Sequence, residues 1–565
     1  VITGLVAVMT LLVGCSGAPD GNGATGALQA SPTSTSAGAP DLSTPATTVP
    51  TPGQVTDTSS PDPADAPVDT TTGTLRGKEA GATHEYLGIR FASPPTGARR
   101  WTLPEPAPDT DEVLAADAPG PACPQSDDIA LAAGESDEDC LFLNVTVPTR
   151  PSTSPRPVMV WWHGGGFTSG SGSQYDARRL ADQGDVVVVT ANYRLGMFGY
   201  LALPGLPGSG NFGFADQLAA LAWAKGNATA FGGDPDNITV FGESAGGTSV
   251  CAALTSPAAA GLIDKAIFSS GSCRLSWPAG TLFPGLPATA SLIPLKDAET
   301  IGVGAAKAAG CDGSGVLDCL RRLPVATVVD QAAAFGNPLA YGTDLLPERP
   351  ADAVVAGRSL PVPVISGGNL DEQRSFVGGL LLTDPDAVSV TNYGALVRAS
   401  FGEHASAVLD EYPLQAYDSA ALAWSTLVTD VAWACTTTRG ARELAAAGAT
   451  VYSYEFADRT APDVSGVASS GLPQGAAHAT DLPYLFDLGG KSLVTRTGQG
   501  ELAETMVELW TSFARTGTPS SGRVASWPAT TGDSSPVLQL GNPDIGLVDH
   551  RAEHKCAFWE SVGQG

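Results

Sequence analysis

A chain of 565 residues with 43% hydrophobic and 16% charged residues carries ample apolar material for a large buried core. Its formal net charge of −28 repels phosphate backbones and so argues against nucleic acid as a partner. The acidic side chains read instead as a solvated surface that keeps the protein soluble.

Val1 to Val13 are almost wholly apolar. The run is shorter than the roughly 20 residues of a membrane-spanning helix and suits the h-region of a signal peptide. Leu12-Val13-Gly14-Cys15 follows and resembles the processing site of bacterial lipoproteins, where the cysteine thiol takes a diacylglyceryl group and becomes the new N-terminus. Residues 1–15 are therefore expected to direct export, with lipidation at Cys15; a plain cleaved signal is the alternative. Residues 16–67 are Ser, Thr, Pro, Ala and Gly with scattered Asp and no hydrophobic period. Such a segment cannot offset its ordering entropy and reads as a disordered tether. The folded domain is expected over residues 68–565, held at the outer face of a bacterial membrane by its anchor, or secreted if the anchor is absent.

Six short apolar runs then read as strands: Val158–Trp162, Val186–Thr190, Ile238–Phe241, Lys265–Phe268, Val362–Ile365 and Val451–Phe456. Continuous apolar runs of this length suit strands covered on both faces, hence a mostly parallel sheet. Helical spacing appears over Asp216–Ala230, Ala432–Ala447 and Glu501–Phe513. Alternation of strands and helices over some 400 residues predicts an α/β fold. Residues 275–360 are irregular and suit inserted helices over a pocket.

Nine cysteines are present, and setting Cys15 aside leaves eight, an even number suited to an oxidising compartment. Cys123 with Cys140, and Cys311 with Cys319, each bracket a short loop and are paired locally. Cys435 with Cys556 would tie a late helix to the C-terminus. Cys251 and Cys273 are left as either a fourth bridge or two buried thiols. No cysteine and histidine spacing resembles a metal site, so neither metal nor cofactor is expected.

Gly242-Glu243-Ser244-Ala245-Gly246 follows the strand ending at Phe241 and opens a stretch able to form a helix. A sharp strand-to-helix turn holds its central residue in a strained conformation and projects that side chain into a cleft. Small residues two positions either side let the two arms approach. A serine hydroxyl is a poor nucleophile until a base takes its proton, and the oxyanion it creates needs donors. His163-Gly164-Gly165-Gly166-Phe167, directly after a strand, offers backbone N–H groups unobstructed by side chains. Gly165, Gly166 and Ala245 are the expected donors of an oxyanion hole. Gly208-Ser209-Gly210-Asn211-Phe212-Gly213 fits a dinucleotide-binding pattern, but the segment before it is a turn and not a strand, so no nicotinamide cofactor is implied.

These motifs, with Glu138-Asp139-Cys140-Leu141-Phe142-Leu143-Asn144-Val145, Asn192-Tyr193-Arg194-Leu195-Gly196, Phe231-Gly232-Gly233-Asp234-Pro235, Tyr86-Leu87-Gly88-Ile89 and Cys556-Ala557-Phe558-Trp559, resemble the type-B carboxylesterase and cholinesterase family over roughly residues 68–560. The resemblance implies an α/β-hydrolase fold, and the family's disulfide arrangement agrees with the proposed pairs at three of four places. It also supplies the acid. The family's G-x-N-x-D-E pattern stands here as Gly367-Gly368-Asn369-Leu370-Asp371-Glu372, which points to Glu372, with the adjacent Asp371 as a chemically equivalent alternative. Gln373 stands where the family usually has glycine.

Of six histidines, the α/β-hydrolase order of nucleophile, acid and base leaves His404, His478, His550 and His554. Only His478 lies in a loop shortly after a strand, and Gly475 to Phe486 matches the family's histidine block; the other three are expected to be solvated. The resemblance further implies that Glu243 and Ser270 help to orient His478.

The expected chemistry is ester hydrolysis by a serine esterase in which Ser244 attacks, His478 moves the proton, Glu372 orients the imidazole and an acyl-enzyme is hydrolysed. Activity is expected to fall below about pH 6.5 as the histidine protonates. Cholinesterases carry a tryptophan in the first disulfide loop, whereas Cys123–Cys140 encloses no aromatic residue, which favours a neutral small-molecule ester. A monomer is expected. A second reading, a non-catalytic binding or adhesion module on the same fold, usually shows a missing nucleophile or histidine, and here all three positions are filled.

Overall fold

The computed structural model describes residues 67–126, 136–331, 338–531 and 535–564. The expected signal sequence, Cys15 and all of the tether but Pro67 lie outside the described residues.

Eleven strands form one twisted sheet. In chain order they are β1 (Lys78–Ala80), β2 (Thr83–Arg90), β3 (Phe142–Pro148), β4 (Arg156–Trp162), β5 (Val187–Ala191), β6 (Gly233–Glu243), β7 (Lys265–Ser269), β8 (Val364–Asn369), β9 (Val451–Phe456), β10 (Val537–Leu540) and β11 (Ile545–Val548). The order across the sheet is β11-β10-β9-β8-β7-β6-β4-β5-β3-β2-β1. Pairing is parallel from β5 through β10 and antiparallel at both margins. This is the α/β-hydrolase arrangement expected from the resemblance.

The central strands are buried on both faces, and their side chains divide by alternation. Val158, Val160 and Trp162 of β4 enter one core while Met159 and Trp161 enter the other. Ile267 of β7 and Ile365 of β8 face the second core; Ala266, Phe268 and Val364 face the first. A two-residue period does this without any polar position in between. The first core is closed by the helices Phe212–Asn227 and Ala245–Ala253, the second by Gln499–Thr516. In that last helix Leu502, Met506, Leu509, Trp510 and Phe513 recur at helical spacing and are all but fully buried. Each such side chain contributes about 1.5–3 kcal/mol by leaving water.

Arg194 and Asp216 anchor the first core's polar edge. The guanidinium donates to both carboxylate oxygens at 2.7 Å, with the pair 3% and 0% exposed. A third, separate core unites Leu275, Trp277, Val377, Tyr393, Trp424, Trp433 and Trp559. Apart from the C-terminal helix that carries Trp559, its segments leave the sheet after β7 and β8, at the carboxyl ends of the strands, where open α/β sheets place their ligands. The helical pattern expected over 432–447 is one longer unit: Ala420–Val428, a π-helical stretch Thr429–Ala434, then Cys435–Ala446.

Four disulfides are present: Cys123–Cys140, Cys251–Cys273, Cys311–Cys319 and Cys435–Cys556. Cys251 and Cys273 are thus a fourth bridge and not two buried thiols. Among the described residues no helix is long and apolar enough to cross a membrane.

Candidate active site

β6 runs directly into the helix Ala245–Ala253, and Ser244 is the hinge between them. Its backbone has φ 56° and ψ −119°, a conformation that costs a non-glycine residue of order 1–3 kcal/mol. The cost is sustained because both arms are locked. Ser244 N–H donates to Ser269 O at 2.9 Å, and Thr248 N–H donates to Ser244 O at 2.9 Å. A Cβ placed on Gly246 would lie 1.9 Å from Trp162 O, so only glycine lets the helix start pass β4 this closely.

The Ser244 hydroxyl is half-buried and sits 2.9 Å from His478 Nε2. On the far side of the ring, His478 Nδ1 lies 2.6 Å from Glu372 Oε2. Glu372 follows β8, and its other oxygen accepts the N–H of Asn369 at 2.8 Å. His478 N–H also donates to Glu372 O at 3.3 Å, which fixes the two loops to each other. Three side chains from loops after β6, β8 and β9 thus form one hydrogen-bonded chain. The Asp371 carboxylate turns away, to Arg374 at 2.7 Å, Arg459 at 3.0 Å and the N–H of Ala476 at 3.1 Å. Chemical equivalence with Glu372 is therefore broken by position.

Gly165 and Gly166 follow β4 with φ of 103° and 60° and are exposed. Among the described residues their N–H groups, and that of Ala245, donate to no protein acceptor. A Cβ on Gly164 would meet the Glu243 carboxylate at 2.5 Å and Ser244 Cβ at 3.0 Å, which shows how tightly this turn lies on the elbow. His163 is buried, stacks on Tyr193 at 4.3 Å, and is held to about 4 by burial, hence neutral.

Glu243 Oε1 approaches His478 Nε2 at 3.1 Å, but the hydrogen-bond geometry of that nitrogen belongs to Ser244. Burial raises Glu243 to about 8, reinforced by Asp481 and Glu372. Burial lowers His478, but the Glu243 and Glu372 carboxylates outweigh it and raise the imidazole to about 9. Ser270 differs from expectation. Its hydroxyl is buried and, among the described residues, has no hydrogen-bond partner, so it does not hold His478.

Several participants escape the sequence motifs. Asp481 is fully buried three residues beyond His478, 3.4 Å from both Asn369 Nδ2 and the Tyr454 hydroxyl, and burial raises it to about 6. Its position inside the histidine block is the one sequence signal for it. Phe376 and Trp433 pack their rings 5.3 and 4.8 Å from the imidazole, and for Trp433 no local signal exists.

His550 and His554 are not solvated, contrary to expectation, being 6% and 3% exposed; His404 is the half-exposed one. His554 lies between Asp430 and Glu455, 2.6 Å from each, while His550 Nε2 is 3.3 Å from the same Glu455 oxygen and Nδ1 is 3.0 Å from Thr438 Oγ1. The two carboxylates overcome burial to raise His554 to about 10, and Glu455 is held below its usual range. Among the described residues Glu455, His550 and His554 are the one group of metal-ligand type. Ligand atoms around a tetrahedral zinc at 2.0–2.1 Å stand about 3.3 Å apart, so the 2.6 Å contact between His554 Nε2 and Glu455 Oε1 is the distance of a hydrogen bond.

A strained serine aligned with an imidazole and a carboxylate, with a glycine turn carrying free N–H groups packed on its elbow, is equipped for acyl transfer. The match to known proteins is of the same kind. The family model described as "Carboxylesterase family" matches residues 64–559. Para-nitrobenzyl esterase of Bacillus subtilis (strain 168) is 34% identical, covering 88% of this chain and 99% of that protein. Acetylcholinesterase of Bungarus fasciatus is 31% identical, over 87% and 85%. The solved structure of a thermophilic PNB esterase superposes with a TM-score of 0.71 at 32% identity, over 87% of this chain and 99% of that one. Fold and site are those of a carboxylic-ester hydrolase, which sets aside the non-catalytic module. The chain belongs to the carboxylesterase family, in its type-B carboxylesterase and cholinesterase branch.

Proposed function

We propose that the protein hydrolyses neutral carboxylic esters through an acyl-enzyme on Ser244. The observation that carries this reading is the unbroken pair of hydrogen bonds, 2.9 Å and 2.6 Å, from Ser244 through His478 to Glu372. His478 Nε2 takes the hydroxyl proton as Oγ attacks the carbonyl. Glu372 holds the Nδ1–H tautomer and stabilises the imidazolium. The N–H groups of Gly165, Gly166 and Ala245 receive the oxyanion. His478 then protonates the leaving alcohol, and water repeats the sequence on the acyl group.

A neutral substrate is supported by the first disulfide loop, whose residues between Cys123 and Cys140 include no aromatic ring to face a quaternary ammonium. Turnover of p-nitrophenyl acetate against acetylthiocholine tests this. The purified protein should favour the neutral ester by at least about tenfold in kcat/KM, the scale of a single cation–π interaction; a preference for the choline ester would contradict it.

The surroundings of His478 revise the expected pH profile. A protonated imidazole cannot accept the serine proton, so raising its pKa moves the acid limb of kcat/KM above the usual histidine range. Glu243→Gln removes one negative charge from the ring and should shift that limb to lower pH by about one unit. A limb that stays in place or moves upward would show that Glu243 does not set the basicity of His478.

Export with lipid attachment at Cys15 and a tether over residues 16–67 belongs to the same proposal. It is supported by the lipoprotein-like Leu12–Cys15 and by four disulfides, which persist in oxidising compartments.

A further inference from the structure

Gln373, next to the proposed acid, has its whole side chain engaged. It is fully buried. Its Oε1 accepts the Trp433 indole N–H at 3.0 Å, and its Nε2 donates to Thr281 O at 3.2 Å and Leu282 O at 3.3 Å. Its backbone N–H donates to Thr429 Oγ1 at 3.1 Å. One amide therefore ties together three stretches that are far apart in sequence: the loop 277–283, the π-helical stretch Thr429–Ala434, and the helix Arg374–Thr383 that it begins.

Those stretches supply a continuous aromatic wall beside the imidazole. Trp433 packs on His478 at 4.8 Å and on Trp277 at 5.3 Å. Phe376 packs on His478 at 5.3 Å, on Trp433 at 5.7 Å and near Phe283 at 6.4 Å. Phe376 and Phe283 remain partly exposed, so the wall presents ring surface to whatever lies against His478. A π-helical turn is a costly local geometry that recurs at functional sites, and here it is the element that brings the Trp433 indole to the ring.

We infer that Gln373 is a positioning residue that sets the distance of this aromatic wall from His478 and thereby decides which esters, bulky or small, are turned over well. This rests on the proposed serine-esterase reading and adds the determinant of size selection to it. The physical basis is the asymmetry of buried hydrogen bonds. Removing the amide strands one indole N–H and two carbonyls without partners, and the segments that carry them must move to find water or one another.

Gln373→Met keeps the length and removes every side-chain polar contact, leaving the backbone N–H bond to Thr429; Trp433→Phe keeps a ring and removes the N–H. Both are compared with the parent chain on p-nitrophenyl acetate and p-nitrophenyl benzoate, which vary the acyl group. Methyl acetate and benzyl acetate vary the alcohol. Rates are normalised to sites titrated with a fluorophosphonate, which removes any effect of misfolded protein. In at least one series the ratio of kcat/KM for the large ester to that for the small one should shift tenfold or more in Gln373→Met. Trp433→Phe should shift it in the same direction, and the double variant should shift it no further than the larger single effect. Ratios that stay within twofold in both series, or shifts that multiply in the double variant, would overturn the assignment. Fluorophosphonate-sensitive turnover of p-nitrophenyl acetate by the parent chain checks the underlying reading separately. A flat ratio with that turnover intact rejects only the role of Gln373.

Discussion

Replacing Ser244 by alanine should lower kcat for a p-nitrophenyl ester by roughly 10⁶ while leaving KM close to that of the parent chain. The asymmetry follows from what the hydroxyl does. It sits 2.9 Å from His478 Nε2 and in the proposed mechanism forms the covalent bond, so its loss removes transition-state stabilisation and not the ground-state pocket. The substitution should be tolerated structurally. Alanine must still adopt φ 56°, but that conformation is held by backbone contacts to Ser269 and by the close passage of Gly246 beneath Trp162. A residual rate of about 10³ over water should persist from the N–H groups of Gly165, Gly166 and Ala245. Steady-state kinetics on protein of matched thermal stability decides it; a loss below about a hundredfold would mean that another nucleophile is at work.

The second large effect separates two neighbours. Glu372→Gln should cost roughly 10⁴ in kcat, because an amide can donate to His478 Nδ1 and so favour the wrong tautomer. Asp371→Asn should cost less than about tenfold in kcat, because its carboxylate serves Arg374 and Arg459 and not the imidazole. Its effect should appear instead in thermal stability, since the residue is 4% exposed and two guanidinium groups would lose their partner. Equal losses, or a larger loss at Asp371, would reassign the acid.

The legible and illegible parts of this chain divide along physical lines. β4, β5, β7, β9 and the apolar run of β6 can be read because strands buried on both faces are built chiefly from apolar, often β-branched side chains in short runs, whereas β8 runs past its expected end at Ile365 through Ser366, Gly367, Gly368 and Asn369. β3 is harder to see because Asn144 and Thr146 interrupt the run, and both are buried. Asn144 accepts from Gly88 N–H and donates to Thr190, a use that no local pattern announces. The elbow and the glycine turn after β4 are legible because each depends on backbone conformations that few residues can take.

The acid is only half legible. Asp371 and Glu372 have the same chemistry, and the difference between them is the direction in which each leaves the turn. The burial of His550 and His554 is hidden for a related reason. It depends on Asp430 and Glu455, which lie 124 and 99 residues away from His554. Gln373 stands out as a departure from the family pattern, but its meaning comes from partners at 281, 282 and 433 that no spacing connects. Local rules locate strands and turns; convergence of distant polar groups has to be seen in three dimensions.

In the proposed mechanism one hydroxyl, activated by one imidazole, carries the chemistry. Reaction with a fluorophosphonate, followed by peptide mass analysis, addresses it without any assumption about the natural ester. One adduct per chain on the peptide containing Ser244 is the predicted result. An unmodified Ser244 in protein that still turns over esters, or an adduct at another serine, would contradict the account.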